Sequence, residues 1–257
     1  MLNNYYKIFY EKSKFKILLA FPYVLACAAL QILNAVKGKE AKCIADTLAY
    51  TFWGCAKYVR GMDFKMPLIW IAFWAFLLVL LSDFMLGTMA EDMQIMLRRG
   101  RIRWYLAKIT SALMIAAAYI LLYYLIIIGY CMVNKLPLYL KGKSVFYMQS
   151  TEMYLSVFLA PLLTALAFVM LEQVLALYTS SFISLIASVA SLVISTFFQN
   201  RFIIGNYAMV CRCRALDKKN GISSVNGVWL LTAYIAALFI CGLIRVRRRN
   251  MLSSRIE

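Results

Sequence analysis

Residues 111–133 read SALMIAAAYILLYYLIIIGYCMV. No charged side chain interrupts them. A helix needs roughly 20 mostly apolar residues to cross the hydrocarbon core of a bilayer. A membrane barrel strand is roughly 10 residues long and alternates apolar with polar, which this run does not. In lipid its backbone groups have no water to bond, so a helix that bonds internally is the form open to it. Outward from this run the same signal recurs at 67–87 and 17–36, and then at 154–178, 182–198 and 228–244. The expectation is an all-α polytopic membrane protein, one transmembrane domain over 1–257, with about six transmembrane helices.

Composition agrees. Hydrophobic residues make up 64% of the chain, where a soluble domain holds about half. The formal charge is +17, and the basic residues fall mostly in the gaps between apolar blocks. That placement suits anionic lipid headgroups and topology control, not nucleic acid. There are no histidines, which removes His-ligated zinc chemistry and Ser-His or Cys-His hydrolysis. Cys27, Cys131 and Cys241 lie in the apolar blocks, and Cys43, Cys55, Cys211 and Cys213 in the gaps. A bridge between Cys43 and Cys55 is left open. Cys211 and Cys213 are too close for a relaxed disulfide and too few for a metal site.

Residues 1–16 place Leu2, Tyr5, Tyr6, Phe9 and Tyr10 on one side of a helical wheel and Lys7, Glu11 and Lys14 on the other. This predicts an N-terminal amphipathic helix lying in the membrane interface. Val24-Leu25-Ala26-Cys27 is a poor lipoprotein cleavage box, and no soluble domain follows it. Lysine and arginine counts on the two sides tie at fourteen each. Density breaks the tie: Arg98-Arg99-Gly100-Arg101-Ile102-Arg103 and Arg245-Val246-Arg247-Arg248-Arg249 abut apolar blocks. Both termini are therefore expected in the cytoplasm.

The gap at 88–104 has its own grammar. Thr88-Met89-Ala90-Glu91 reads as a capping box. Glu91 and Asp92 suit a positive helix start, and Arg98 and Arg99 a negative end. Gly100 supplies a stop. A short separate helix at about 89–99 is predicted, with Met89, Met93, Met96 and Leu97 on one apolar stripe. Methionine adapts to irregular surfaces. The stripe either lies on the bilayer and the protein's own helices or docks a cytosolic partner.

Several stretches resemble the permease subunits of small bacterial type-2 ATP-binding-cassette exporters. They are Met66-Pro67-Leu68-Ile69-Trp70, Ser82-Asp83, Gln94-Ile95-Met96-Leu97-Arg98 and Arg103-Trp104-Tyr105-Leu106-Ala107-Lys108, then Gly205-Asn206-Tyr207-Ala208-Met209 with Arg212, and the basic Arg247, Arg248 and Arg249. Asn250 stands where an aspartate is common. The resemblance implies six spans in the bacterial cytoplasmic membrane, an elbow helix first and a coupling helix between spans 2 and 3. It also implies a homodimer or a heterodimer with a similar permease, and a separate ATPase subunit that holds ATP and magnesium. That subunit would dock on Met89, Met93, Met96, Leu97 and Arg98. No cofactor, metal site or catalytic group is expected on this chain. Lys141-Gly142-Lys143-Ser144 carries the Gly-Lys-Ser of a phosphate loop, but Pro137 stands where its first glycine belongs.

Ionisable and amide groups inside apolar blocks usually face protein or water. Asp83, Glu172 and Gln173 are thus either candidates for a substrate path or structural hydrogen-bonding groups. Ser184, Ser188, Ser191 and Ser195 are spaced 4, 3 and 4, which predicts a small-residue helix interface. The expected function is a transporter permease. The rivals are a non-transporting accessory, immunity or sensor protein, and an intramembrane enzyme, for which convergent polar groups are sparse.

Overall fold

A computed structural model describes residues 2–37, 43–56, 65–85, 100–137, 151–218 and 220–248. Among them the chain is all-α, with seven helices: α1 Leu2–Lys37, α2 Ile44–Thr51, α3 Leu68–Leu81, α4 Arg101–Val133, α5 Thr151–Tyr178, α6 Ser181–Phe197 and α7 Ser224–Arg248. Two short 3₁₀ turns, Ile204–Ala208 and Val210–Arg212, precede α7.

Three helices, α4, α5 and α7, are long and apolar enough to cross a membrane. The apolar stretches Leu18–Asn34, Leu68–Leu81 and Ser181–Phe197 are shorter. The 14 residues of α3 rise only about 21 Å, below the roughly 30 Å of a hydrocarbon core. The helix α1 runs unbroken for 36 residues, through both the 1–16 stretch and the first apolar block. The sequence explains it, because neither glycine nor proline falls before Pro22.

The long helices alternate in direction. Here the near end of the bundle holds residues 82–85, 100–108, 174–181 and 242–248, and the far end holds 44–56, 133–137, 151–157 and 195–215. At the near end Lys108 meets Phe84, Tyr105 meets Phe239 and Arg245 meets Leu177. At the far end Glu152 meets Ser224, and Trp70 donates its indole N–H to the carbonyl of Ala208. Thus α4 and α6 run from near to far, as α1 does, and α3, α5 and α7 return. In the most apolar 18 residues, α5 is 56% buried and α7 only 17%, so α5 is the central helix and α7 a peripheral one. Phe182, Ile183, Ile186, Trp229, Leu125 and Leu18 point outward and are exposed. Apolar surface that large marks a face made for lipid or for another protein.

The core is aromatic at the far half. Phe52, just after α2, packs edge-on against Phe73, Tyr123 and Tyr124 and leans on Trp74. The short helix α2 is buried through Ile44, Leu48 and Ala49, so the 37–66 gap sends an element back into the bundle. Gly54, at φ +73°, permits this: a Cβ there would lie 2.5 Å from Met209 Cγ. At the near half α4 and α7 approach so closely that a Cβ on Gly242 would meet the Tyr105 hydroxyl at 2.2 Å. All seven cysteines are free, so Cys43 and Cys55 form no bridge.

Candidate functional site

Buried polar groups gather at the two ends of the bundle, and both groups begin with a helix end. A helix leaves its last carbonyls without partners. At the end of α3 its own cap residue and side chains from α5 and α4 bond the carbonyls of the last turn and of the turn that follows. Ser82 Oγ donates to Val79 O at 3.0 Å, Gln173 Nε2 to Leu81 O at 2.9 Å, and Lys108 Nζ to Phe84 O at 2.9 Å. A cation at a helix C terminus is favourably placed. The Lys108 side chain is fully buried, with its ammonium 5.7 Å from the Trp104 ring centroid and 5.8 Å from that of Phe84. Lys108 and Trp104 are one helical turn apart, which puts both on the same face of α4.

Glu172 and Gln173 reach the same end from α5, and both are fully buried. Gln173 uses its amide N–H on α3, but its Oε1 has no hydrogen-bond partner, and neither carboxylate oxygen of Glu172 has one. Asp83 is exposed in the turn after α3, close enough to Glu172 for their charges to interact. The structure therefore brings Asp83, Glu172 and Gln173 to one end. Only the last two are enclosed.

Of the α6 serines, Ser184, Ser188 and Ser195 are buried and Ser191 is partly so. This face packs on α5 and α3 within the chain. Ser184 and Ser195 donate to carbonyls of their own helix. Ser195 sits against Gly205, where a Cβ would have no room. Small side chains here allow close packing. Met89, Met93, Met96, Leu97 and Arg98 lie outside the described residues. Their flanks are visible: Met85 is buried with Trp104, Tyr105 and Val174, and Gly100, at φ +87°, caps the start of α4.

The far end is organised by Arg212, which is 2% exposed. Its Nε donates to Cys55 O at 2.9 Å, and one terminal nitrogen to Thr196 O at 2.7 Å and towards Cys55 Sγ at 3.4 Å. The other donates to Ser195 O and to Asn206 Oδ1. Asn206 Nδ2 in turn donates to Phe198 O and Asn200 O. One planar fork thus closes the C-terminal end of α6, the segment after α2 and the 3₁₀ turn before α7. No carboxylate among the described residues takes part, and the negative end of α6 supplies the compensating field. Burial pulls Arg212 below its ordinary value and pushes the Cys55 thiol up, while that of Cys211 rises to about 12. Arginine remains charged regardless. Sequence reasoning had only the resemblance to single out Arg212; the other available signal is one arginine among the apolar residues 207–213.

No family model, curated protein or solved structure matches this chain.

Proposed function

We propose that the chain is the membrane-spanning permease subunit of an ATP-driven transporter, working as an exporter in a bacterial cytoplasmic membrane. In this reading α1, α3, α4, α5, α6 and α7 are the six spans, the near end is cytoplasmic, and two permease chains form the pathway. Local thinning of the bilayer and tilt of neighbours accommodate short spans such as α3. The observation that carries the reading is the alternation of six apolar helices, with the 88–104 segment joining α3 to α4 at the near end. The anchored flanks of that segment support it. Met85 is buried in one cluster with Trp104, and Lys108 ties α4 to the carbonyl of Phe84. A partner bound to the segment would act on the α3–α4 junction, beside Glu172 and Gln173.

A separate ATPase subunit then supplies ATP and magnesium. ATP shifts the pathway between inward- and outward-facing states only by favouring one of them. The test is to tag the chain, extract it from its native membrane in mild detergent and identify what copurifies. An ATPase whose turnover depends on this chain is the expected result. Purification of the chain without any ATPase would turn the reading towards an accessory or immunity protein.

A further inference from the structure

Among the described residues the buried polar atoms without a hydrogen-bond partner are Trp74 Nε1, Trp104 Nε1, Thr164 Oγ1, both Glu172 oxygens, Gln173 Oε1 and Ser188 Oγ. Four of these atoms sit at one level of the bundle. Glu172 and Gln173 are adjacent on α5, and Glu172 lies six residues before Tyr178. Ser188 lies seven residues after Ser181, on the antiparallel α6. Both are on the order of 10 Å from the turn that joins the two helices.

An unpaired indole N–H or hydroxyl is a neutral group. Glu172 is different. Ionised, it would be an acceptor-only charge with no donor, and burying an isolated carboxylate is far costlier than burying any neutral orphan. Among the described residues the surrounding elements bring no compensation. The turn after α3 offers Asp83, of like sign. From α4 come Lys108, which donates to Phe84 O, and Tyr105, which donates to Phe239 O. From α7 come Cys241 and Arg245, the latter directed to Leu177 O and the Tyr178 ring. Helix α6 carries serines and one threonine but no charged side chain. Glu172 has a hydrogen bond to none of them.

We propose that Glu172 is a proton-binding site. The carboxyl holds a proton while α5 is packed against α3 and α6. When the near end opens, the O–H bond breaks, the electron pair stays on the carboxylate and the proton passes to water. Closing reverses the step, so each cycle exchanges one proton per chain. The opening motion rests on the transporter reading. The proton on Glu172 in the closed packing does not.

The test is an infrared titration of the purified full chain in phosphatidylcholine–phosphatidylglycerol nanodiscs, without any ATPase. Near neutral pH the parent should show the carbonyl stretch of a protonated carboxyl. Glu172→Gln should lose it by the equivalent of one group per chain, and Asp83→Asn should keep it. If Glu172→Gln does not fold, Glu172→Asp should move the band. Spectra that match the parent in the folded Glu172 variant would overturn the site. So would a carboxylate stretch at Glu172 that follows sodium against choline, because a bound metal cation would then be the occupant. Failure of ATPase copurification leaves this band untouched, so the two claims fail separately.

Discussion

Tyr124 donates its phenol hydroxyl to the carbonyl of Val157 at 2.8 Å, and it lies 3.0 Å from that of Phe158 as well. Pro161, four residues beyond Val157, has no N–H to offer that carbonyl. The backbone answers with a π turn over Leu155–Leu159, in which Ala160 N–H reaches back to Leu155 O. A side chain of α4 thus completes the hydrogen bonding of α5 where α5 cannot do so itself. Such turns are common where a helix must bend or serve a function.

Tyr124→Phe should therefore cost about 1–3 kcal/mol, because it strands a buried carbonyl. Unfolding in detergent by heat or denaturant measures it. Pro161→Ala gives α5 back an N–H, so the Tyr124→Phe loss should be smaller in that background. Strictly additive effects would show that the two residues do not share the carbonyl.

Arg212 should be far less replaceable. Its acceptors come from three segments and need a flat, divergent set of donors. Arg212→Met leaves buried carbonyls of Cys55, Ser195 and Thr196 unserved, and a loss of about 3 kcal/mol or more is expected. Arg212→Lys keeps the charge at the end of α6 but loses the fork, so it should fall between parent and Arg212→Met. Yield of monodisperse protein and thermal unfolding decide it. An Arg212→Met protein as stable as the parent would remove Arg212 from its place in the fold.

These two relationships also show where sequence reasoning stops. The runs at 111–133 and 154–178 became the long helices α4 and α5 because an uninterrupted apolar run leaves the backbone little choice. The helix α2 escaped notice because eight residues give too short a period, and its burial depends on Phe52 meeting rings from α3 and α4. Glu172 and Gln173 stood out as polar groups in an apolar block. That Gln173 closes the end of α3 while Glu172 bonds to nothing is a long-range fact with no local signature. Likewise the serine spacing on α6 carries no sign of which helix that face meets.

Thiol chemistry gives a pH-dependent check on the far end. The thiolate is the reacting form. Burial raises Cys55, and raises Cys211 to about 12, with the Arg212 cation opposing both shifts. A raised value means less thiolate in the folded protein than in the unfolded chain at any pH below it. At about pH 8, near the value of a free thiol, both should react slowly with N-ethylmaleimide when folded and readily once denatured. The ratio should narrow as pH rises. Mass spectrometry of the adducts reads it, and equal rates in the two states would contradict the enclosed geometry around Arg212.

The last prediction concerns the segment that joins α3 to α4. Its sequence carries a capping box at Thr88 and Glu91, charges ordered along the helix dipole, and Met89, Met93 and Met96 on one stripe. The charges are explained by the helix itself, so the methionine face is the part that asks for a partner. The flanks are fixed independently of it, by Met85 in the buried cluster that holds Trp104 and by Lys108 on Phe84 O. Changing Met93 and Met96 together to Asp should leave those anchors in place, and the chain should reach the membrane at normal abundance. In a packed contact two unpaired carboxylates would cost roughly several kcal/mol, enough to break a docking interface. The double variant should therefore copurify no ATPase where the parent does. If it retains the ATPase at the parent's level, docking lies elsewhere. A parent that also copurifies none shifts the weight to the accessory-protein reading, in which the methionine stripe lies on the bilayer and the double variant should lose membrane contact instead.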